Sequence, residues 1–237
     1  MHDTVIVRYG EISLKGDNRG FFEKKLVENI KKQLQENRIS YSSVARPRGR
    51  IIIETNQKCS CLKNVFGITS FSHATSTEPE TRAMKKAALP LIKKLAKNKS
   101  FRVTTQRVDK SIQLRSNDID REIGSFVVDK TNAKVDLTGF DFELGIELFN
   151  SKAYLFTERI QGPGGLPVGV EGTVLVLKGR DSAKAAMLMQ KRGCETIVIN
   201  KLSDAAKYSR AKALVVSQTL KNLKPVKTNL VVLRPLI

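Results

Sequence analysis

The chain has 237 residues, enough for one large domain or two to three small ones, and its 41% hydrophobic content supplies each with a core. Lys and Arg number 42 against 23 Asp and Glu, giving a net charge of +19, which favours a nucleic acid as partner. No stretch approaches the ~18 apolar residues of a membrane span and no signal peptide follows Met1, so we expect a cytoplasmic protein without a membrane partner. The cysteines at 59, 61 and 194 are too few for a disulfide framework, and with two histidines no metal site is expected.

Residues 1–78 show the order β-α-β-β-α-β, which is typical of a ferredoxin-like domain. Hydrophobic periodicity predicts strands at 4–9, 39–44, 50–55 and 70–77, a helix with its apolar stripe at Phe22, Leu26, Ile30 and Leu34, and a short helix at 59–66. The turn at 46–49 contains Pro47, and three arginines lie in it or directly after it.

Residues 79–165 follow the order α-β-α-β-β. Predicted elements are helices at 81–96 and 118–130, and strands at 101–107, 140–149 and 153–159. Pro90 weakens the first helix because an interior proline removes a backbone hydrogen bond. The dipeptide Asn150-Ser151 predicts a tight hairpin between the last two strands.

Residues 166–237 follow a breaker-rich segment at 161–165, which predicts a flexible hinge. Apolar strands are predicted at 174–177, 196–199, 213–216 and 229–233, with helices at 183–192, 203–212 and 217–223. Short apolar strands that alternate with helices favour a parallel sheet covered on both faces. The predicted fold class is therefore α+β, ending in a small parallel α/β segment. This segment holds 13 basic and 4 acidic residues.

Several stretches, in order, resemble the tRNA 4-thiouridine synthetase (tRNA sulfurtransferase, ThiI-like) family. They are Val7–Gly16, Arg19–Glu23, Arg48–Ile53, Val65–Ile68, Gly162–Gly169 and Met187–Gly193. The resemblance implies a ferredoxin-like domain at 1–78, a THUMP domain that binds RNA at 79–165 and a shortened pyrophosphatase-loop (PP-loop) domain at 166–237. It also implies the acceptor region of tRNA as partner. Family members use ATP to adenylate a uridine and replace its oxygen with sulfur, and some serve thiamine biosynthesis.

The nucleotide loop of the family is altered in this chain. Where the family carries Ser-Gly-Gly-x-Asp-Ser, this sequence has Lys178-Gly179-Arg180-Asp181-Ser182, with one glycine instead of two. By resemblance, the nucleotide-binding candidates are Val176, Leu177, Lys178, Gly179, Asp181 and Ser182. Because bare glycines let backbone N–H groups close on phosphate, the altered loop argues against ATP as a cofactor. The competing interpretation is an ordinary turn into a helix capped by Asp181 or Ser182.

The residues supply no catalytic constellation. The family's sulfur step needs a nucleophilic cysteine further along a PP-loop domain, and Cys194, at the entry to an apolar strand, is expected to be a buried small hydrophobe. We therefore predict no catalytic residue.

THUMP-type modules recognise tRNA by shape and backbone, so Lys and Arg on loops and strand ends are the candidate contacts. The RNA-binding candidates are Lys15, Arg19, Arg46, Arg48, Arg50, Arg102, Arg107, Lys110, Arg115 and Arg159.

Three functions stay open at this point. The first is tRNA binding without catalysis, or with the chemistry supplied by a separate catalytic or sulfur-carrier protein. The second is an ATP-dependent tRNA sulfurtransferase that uses the loop at 178–182 and receives sulfur in trans. The third is a structural remnant that binds no RNA.

Overall fold

The computed structural model describes residues 2–47, 49–93, 95, 99–108 and 114–237. The chain divides into two compact units. The first contains Met1–Arg8, Leu34–Ser60 and Ser70–Gln161, and the second contains Tyr9–Gln33, Cys61–Thr69 and Gly162–Ile237. The predicted domain limits at 78 and 165 stay a prediction.

Nine strands of the first unit form one sheet. In chain order they are β1 (Thr4–Arg8), β2 (Ser43–Ala45), β3 (Ile51–Glu54), β4 (Ser70–Thr77), β5 (Ser100–Arg107), β6 (Lys134–Val135), β7 (Phe142–Phe149), β8 (Lys152–Phe156) and β9 (Ile160–Gln161). The order across the sheet is β2-β3-β1-β4-β8-β7-β5-β6, and β9 pairs with β4. The β2-β3-β1-β4 half is antiparallel throughout, as in a ferredoxin-like domain, whereas β5 pairs with β7 in parallel.

The described residues contain four α-helices: α1 (Arg19–Glu36), α2 (Thr81–Ile92), α3 (Ser116–Thr131) and α4 (Ser182–Lys191). Their apolar stripes follow the predicted spacing, and Leu26, Ile30 and Leu34 of α1 are fully buried. Residues of α2 and α3 share one core cluster with β5, β7 and β8, including Met84, Ile123 and Leu144. The predicted hairpin is confirmed, since Asn150 and Ser151 both adopt positive φ angles, 51° and 54°.

The second sheet lies in the second unit and is parallel, as predicted. Its strands are β10 (Thr173–Leu177), β11 (Glu195–Ile199), β12 (Ala211–Val215) and β13 (Val231–Leu233), in the order β11-β10-β12-β13. Val174 and Val176 pack toward Ala185 of α4 on one face, and Leu175 and Leu214 belong to a cluster on the other face. The α+β class with a small parallel α/β segment is therefore confirmed.

Several predicted helices are shorter or different in type. The helix at 59–66 is a 3-10 turn at Ser60–Asn64, and the helix at 217–223 is a 3-10 turn at Leu220–Asn222. The prediction of a helix at 203–212 is wrong, because only Leu202–Lys207 is helical, as a 3-10 helix, and β12 already begins at Ala211. Pairing of the apolar residues after Ala211 with β10 outweighs the helix propensity of Ala and Lys in this stretch.

Backbone hydrogen bonds tie the glycine-rich segment after β9, predicted as a flexible hinge, to other residues of the second unit. Gly162 N–H donates to Thr69 O (2.9 Å), Gly164 N–H to Ile68 O (2.8 Å) and Gly67 N–H to Gly164 O (2.9 Å). Leu166 N–H continues the contact by donating to Lys191 O (2.9 Å). Residues 162–166 therefore have partners for these backbone groups, and flexibility at the boundary stays a prediction.

Gly165 is the position in this segment where a side chain is least tolerable. Its φ angle is +75°, and an added Cβ would lie 2.2 Å from Lys191 O. We expect Gly165→Ala to lower the free energy of unfolding by about 2 kcal/mol, measured by urea denaturation. Gly164→Ala is the matched control, because Gly164 also has a positive φ (+66°) but open space around the added Cβ. Equal losses in both variants would show that the contact with Lys191 O is unimportant.

Candidate nucleic-acid interface

The face of the large sheet opposite α2 and α3 holds a second buried cluster. Ile52 of β3, Ile6 of β1 and Phe149 of β7 belong to this cluster, although β1, β4 and β8 separate β3 from β7 in the sheet order. Arg50, directly before β3, reaches Glu147 of β7 at 2.7 Å, so the sheet curves far enough to bring this end of β3 close to β7. Near the ends of these strands the buried face changes from apolar to charged.

Glu147 is the centre of this charged region and is completely buried. Its Oε1 accepts a hydrogen bond from Arg8 Nε (2.6 Å), and its Oε2 accepts one from Arg50 Nε (2.7 Å). Arg8 is itself buried and also donates to Ser72 Oγ (3.0 Å). A buried carboxylate is tolerable only when it is paired in this manner.

The electrostatics of the pair follow from burial and mutual attraction. Burial opposes ionisation of Glu147, but the charges and hydrogen bonds of Arg8 and Arg50 outweigh it and hold the pKa of this carboxyl below its ordinary value. Burial lowers the pKa of Arg8, and Glu147 offsets part of that change. Arg8 remains charged because a guanidinium titrates far above neutral pH.

Arg159 brings a third guanidinium to the same carboxylate. Its Nη2 lies 3.6 Å from Glu147 Oε1, beyond hydrogen-bond length, and its side chain is 34% exposed. Arg8 and Arg159 also lie over the ring of Phe156, at 4.8 Å and 5.2 Å from its centroid. One negative charge thus faces three positive ones, and the surplus is most accessible at Arg159.

The hydrogen-bond donors of Arg50 are largely used by other groups of the protein. Beyond Glu147, its Nη1 donates to Gly49 O (2.8 Å) and its Nη2 to Gln106 Oε1 (3.3 Å). We infer that Arg50 fixes the carboxylate and the turn before β3, and contributes to the surface mainly through its charge.

Two other candidates form local ion pairs. Arg102 donates from Nε and Nη2 to Glu143 Oε1 (3.0 and 2.8 Å) and stacks 3.9 Å from the centroid of Phe140. Arg19 donates to Glu23 Oε1 (2.7 Å) and to the Tyr9 hydroxyl (2.9 Å). These carboxylates neutralise much of the charge that sequence reasoning assigned to RNA.

The remaining RNA-binding candidates occupy varied positions. Arg46 is exposed after β2, and Arg115 is exposed immediately before α3. Arg107 is half-buried, and its Nε has no hydrogen-bond partner among the described residues. Lys15 is half-buried with Nζ 4.9 Å from the centroid of Phe22. Arg48 and Lys110 lie outside the described residues.

The structure thus brings Arg50 and Arg159 together and adds two residues that sequence reasoning missed, Arg8 and Glu147. A signal for both exists in the sequence. Arg8 ends the apolar strand β1, and Glu147 interrupts the apolar run from Leu144 to Phe149. A charge inside a buried strand requires a partner, although the sequence does not say which.

Four of the six nucleotide candidates, Leu177, Lys178, Gly179 and Asp181, line a cleft in the second unit, whereas Val176 and Ser182 do not. The cleft has a volume of about 430 Å³ and lies at the carboxyl ends of β10 and β12, between residues 177–181 and 216–219. The chain leaves β10 for β11 on one side and reaches β12 on the other, so this is the switch point at which open parallel sheets bind ligands. Val176 is buried, Leu177 and Ser182 are half-buried, and Lys178, Gly179 and Asp181 are exposed.

The loop in this cleft does not fit a phosphate cradle of the two-glycine type. A Cβ on Gly179 would lie 2.9 Å from Ser217 Oγ, so its missing side chain makes room for the protein's own loop. Ser182 donates from both N and Oγ to Gly179 O (3.2 and 2.9 Å). Asp181 occupies the N-cap position of α4, as the competing interpretation with Asp181 or Ser182 allowed, but its side chain makes no capping hydrogen bond.

The cysteines contribute no activated nucleophile in the structure. Cys59 and Cys194 are buried, and burial raises the pKa of the Cys194 thiol, with a smaller contribution from Glu171. The described residues contain no group of three His, Cys, Asp or Glu side chains arranged to hold a metal ion. None of the described helices is long and apolar enough to cross a membrane.

Comparison with known proteins gives consistent matches. A family model of the ThiI ferredoxin-like domain matches residues 4–72, and a THUMP domain model matches residues 80–158. A probable tRNA sulfurtransferase of Thermococcus kodakarensis is 39% identical over 212 residues, which cover 84% of this chain and 55% of that protein. The chain thus spans about half the length of the curated relatives it matches.

Two solved structures resemble the whole chain or most of it. The crystal structure of PH1313 from Pyrococcus horikoshii matches with a TM-score of 0.91 and 31% identity, covering 99% of this chain and 94% of that one. The crystal structure of a 4-thiouridine synthetase–RNA complex with bound ATP matches with a TM-score of 0.69 and 28% identity, covering 91% of this chain and 53% of that one.

Proposed function

Because this chain belongs to the tRNA 4-thiouridine synthetase (ThiI-like) family and carries its ferredoxin-like and THUMP domains, we propose that it is a tRNA-binding protein of the cytoplasm. The proposed ligand is the acceptor region of tRNA. In this proposal the chain itself is not catalytic, and any uridine chemistry comes from a separate catalytic or sulfur-carrier chain.

The observation that carries the proposal is the surplus of positive charge around Glu147. Arg8 and Arg50 saturate both carboxylate oxygens, so the charge of Arg159 is left for an external anion. The ring of Phe156 holds the Arg159 guanidinium in place, which lowers the entropy lost when a phosphate binds. The net charge of +19 adds a long-range attraction for RNA.

The second candidate is an ATP-dependent tRNA sulfurtransferase. It is favoured by the cleft at the switch point of the second sheet, where Lys178 and Asp181 line the rim. The geometry of Gly179 and Ser182 argues against it, because the loop is bonded to itself and packed against Ser217. If ATP binds, Lys178 and Arg180 are the cations of the cleft lining that would meet its phosphates, and ATP would activate the uridine oxygen as a leaving group.

One experiment separates the two candidates. Binding of tRNA is measured by filter retention at about 50 and 200 mM salt, with and without ATP, and pyrophosphate is followed in the same samples. If about four phosphates are contacted, affinity should fall about 100-fold over this range. We expect that fall without pyrophosphate release. Pyrophosphate release that is lost in Asp181→Ala would favour the enzyme, and absence of tRNA binding would overturn the proposal.

A further inference from the structure

Phe21 is an exposed aromatic side chain that neither the fold nor the charge network explains. It is 57% exposed, whereas the other phenylalanines of the chain are buried or half-buried. A single exposed apolar residue needs no explanation by itself. The setting of Phe21 at the start of α1 is what makes it informative.

Neighbouring side chains restrain the orientation of the Phe21 ring. It packs edge-to-face against Phe22, with centroids 5.5 Å apart and an interplanar angle of 85°. Arg19, two residues earlier, is bound to Glu23 and to the Tyr9 hydroxyl, and Tyr9 also donates to Glu23. These contacts fix the first turn of α1, so the exposed face of Phe21 is presented in a defined orientation.

The solvent face of α1 below Phe21 is cationic. Lys24 and Lys25 follow Phe21 by three and four residues, and Lys31 and Lys32 continue the same face two turns further. Glu28, whose Oε2 lies 3.4 Å from Lys25 Nζ, and Glu36 are the acidic residues of this face. Four ammonium groups against two carboxylates leave a positive surplus that suits a phosphate backbone. The aromatic ring of Phe21, next to Lys24 and Lys25, suits a base.

We propose that Phe21 is a stacking platform for an unpaired nucleobase of the bound RNA, with Lys24 and Lys25 placed for the adjoining phosphates. The inference rests on the proposed function and adds a ligand chemistry to it. Bases inside an RNA duplex are already stacked and hidden from side chains, so the ring engages only a single-stranded part of the ligand. Stacking on an aromatic ring contributes about 1–3 kcal/mol per base and tolerates any base.

The absence of tryptophan from the sequence gives a direct test. Phe21→Trp places a single fluorophore at the platform. The probes are two RNA hairpins with the same stem, one blunt and one with a four-nucleotide unpaired 3′ extension. Tryptophan emission should be quenched by the extended hairpin and not by the blunt one. Leu137→Trp, at a 68% exposed position of the first unit, is the control and should be quenched by neither.

Affinity measurements on Phe21→Ala complete the test. We expect about tenfold weaker binding of the extended hairpin and unchanged binding of the blunt one, with the thermal midpoint of the protein unchanged. Equal weakening for both hairpins, or quenching by both, would overturn the stacking inference and favour a general surface contact. If the unmodified protein bound both hairpins and Phe21→Ala changed neither affinity, only this inference would fail. If the unmodified protein bound neither, the proposed function would fail with it.

Discussion

Replacement of Glu147 by Ala is expected to lower the free energy of unfolding by about 3–5 kcal/mol, because it leaves the buried charge of Arg8 without compensation. Arg50 loses its Nε partner in the same variant, and three guanidinium groups then repel one another. Urea denaturation at neutral pH measures the loss.

Glu143→Ala is the matched control for this prediction. Glu143 lies on the same face of the same strand and also pairs with an arginine, Arg102, but both side chains are partly exposed, at 23% and 32%. A solvated pair of this kind contributes about 0–1 kcal/mol. Equal losses of stability in the two variants would show that burial of the Glu147 pair does not strengthen it.

The stability that Glu147 contributes should also depend on pH. Its folded pKa lies below the ordinary value near 4.5, so the folded state binds a proton less readily than the unfolded chain. The contribution is therefore present above the unfolded pKa and is lost as the pH falls through the folded one. The difference in stability between the unmodified protein and Glu147→Gln should shrink as the pH is lowered below about 4.5. If this difference in stability grew on acidification, the predicted direction of the pH dependence would be wrong.

Arg159→Glu is expected to weaken tRNA binding about 30-fold at low salt. The variant removes one cation from the surplus around Glu147 and adds a carboxylate that repels phosphate. Loss of a phosphate contact also reduces the slope of log affinity against log salt by about 1. Filter binding at several salt concentrations measures both quantities.

Lys152→Glu is the matched control, since it makes the same change of charge at an exposed position at the opposite end of β8. We expect a smaller loss of affinity that reflects only the long-range field. Equal losses in both variants would mean that RNA responds to net charge alone and that the Glu147 cluster is not the contact.

Elements with strong periodicity were predictable from the sequence. The stripe of α1, the hairpin at Asn150-Ser151 and the apolar strands β10 to β13 follow local patterns of burial and turn chemistry, and each is confirmed. The helix predicted at 203–212 failed, because strand pairing of residues 211–215 with β10 overrode local propensity. The local pattern at 161–165 did not reveal that its backbone groups bond to residues 68 and 69, which are distant in sequence.

The candidate site was predictable only in outline. Positive charge and the arginines at 50 and 159 are visible in the sequence, and so is the altered loop at 178–182. The sequence does not reveal which arginines are neutralised, because Glu147 lies 139 residues from Arg8 and 97 from Arg50. That pairing depends on curvature of the sheet, which brings β3 and β7 together.

The fold class, the strong positive charge, the family resemblance and the missing glycine of the nucleotide loop are all evident before folding is considered. These are properties of composition and of residues close together in the chain. The ion pairs of Arg19 and Arg102, the surplus charge at Arg159 and the exposure of Phe21 are visible only in the folded chain. Neutralisation and burial depend on neighbours in space, and a chain places those neighbours only when it folds.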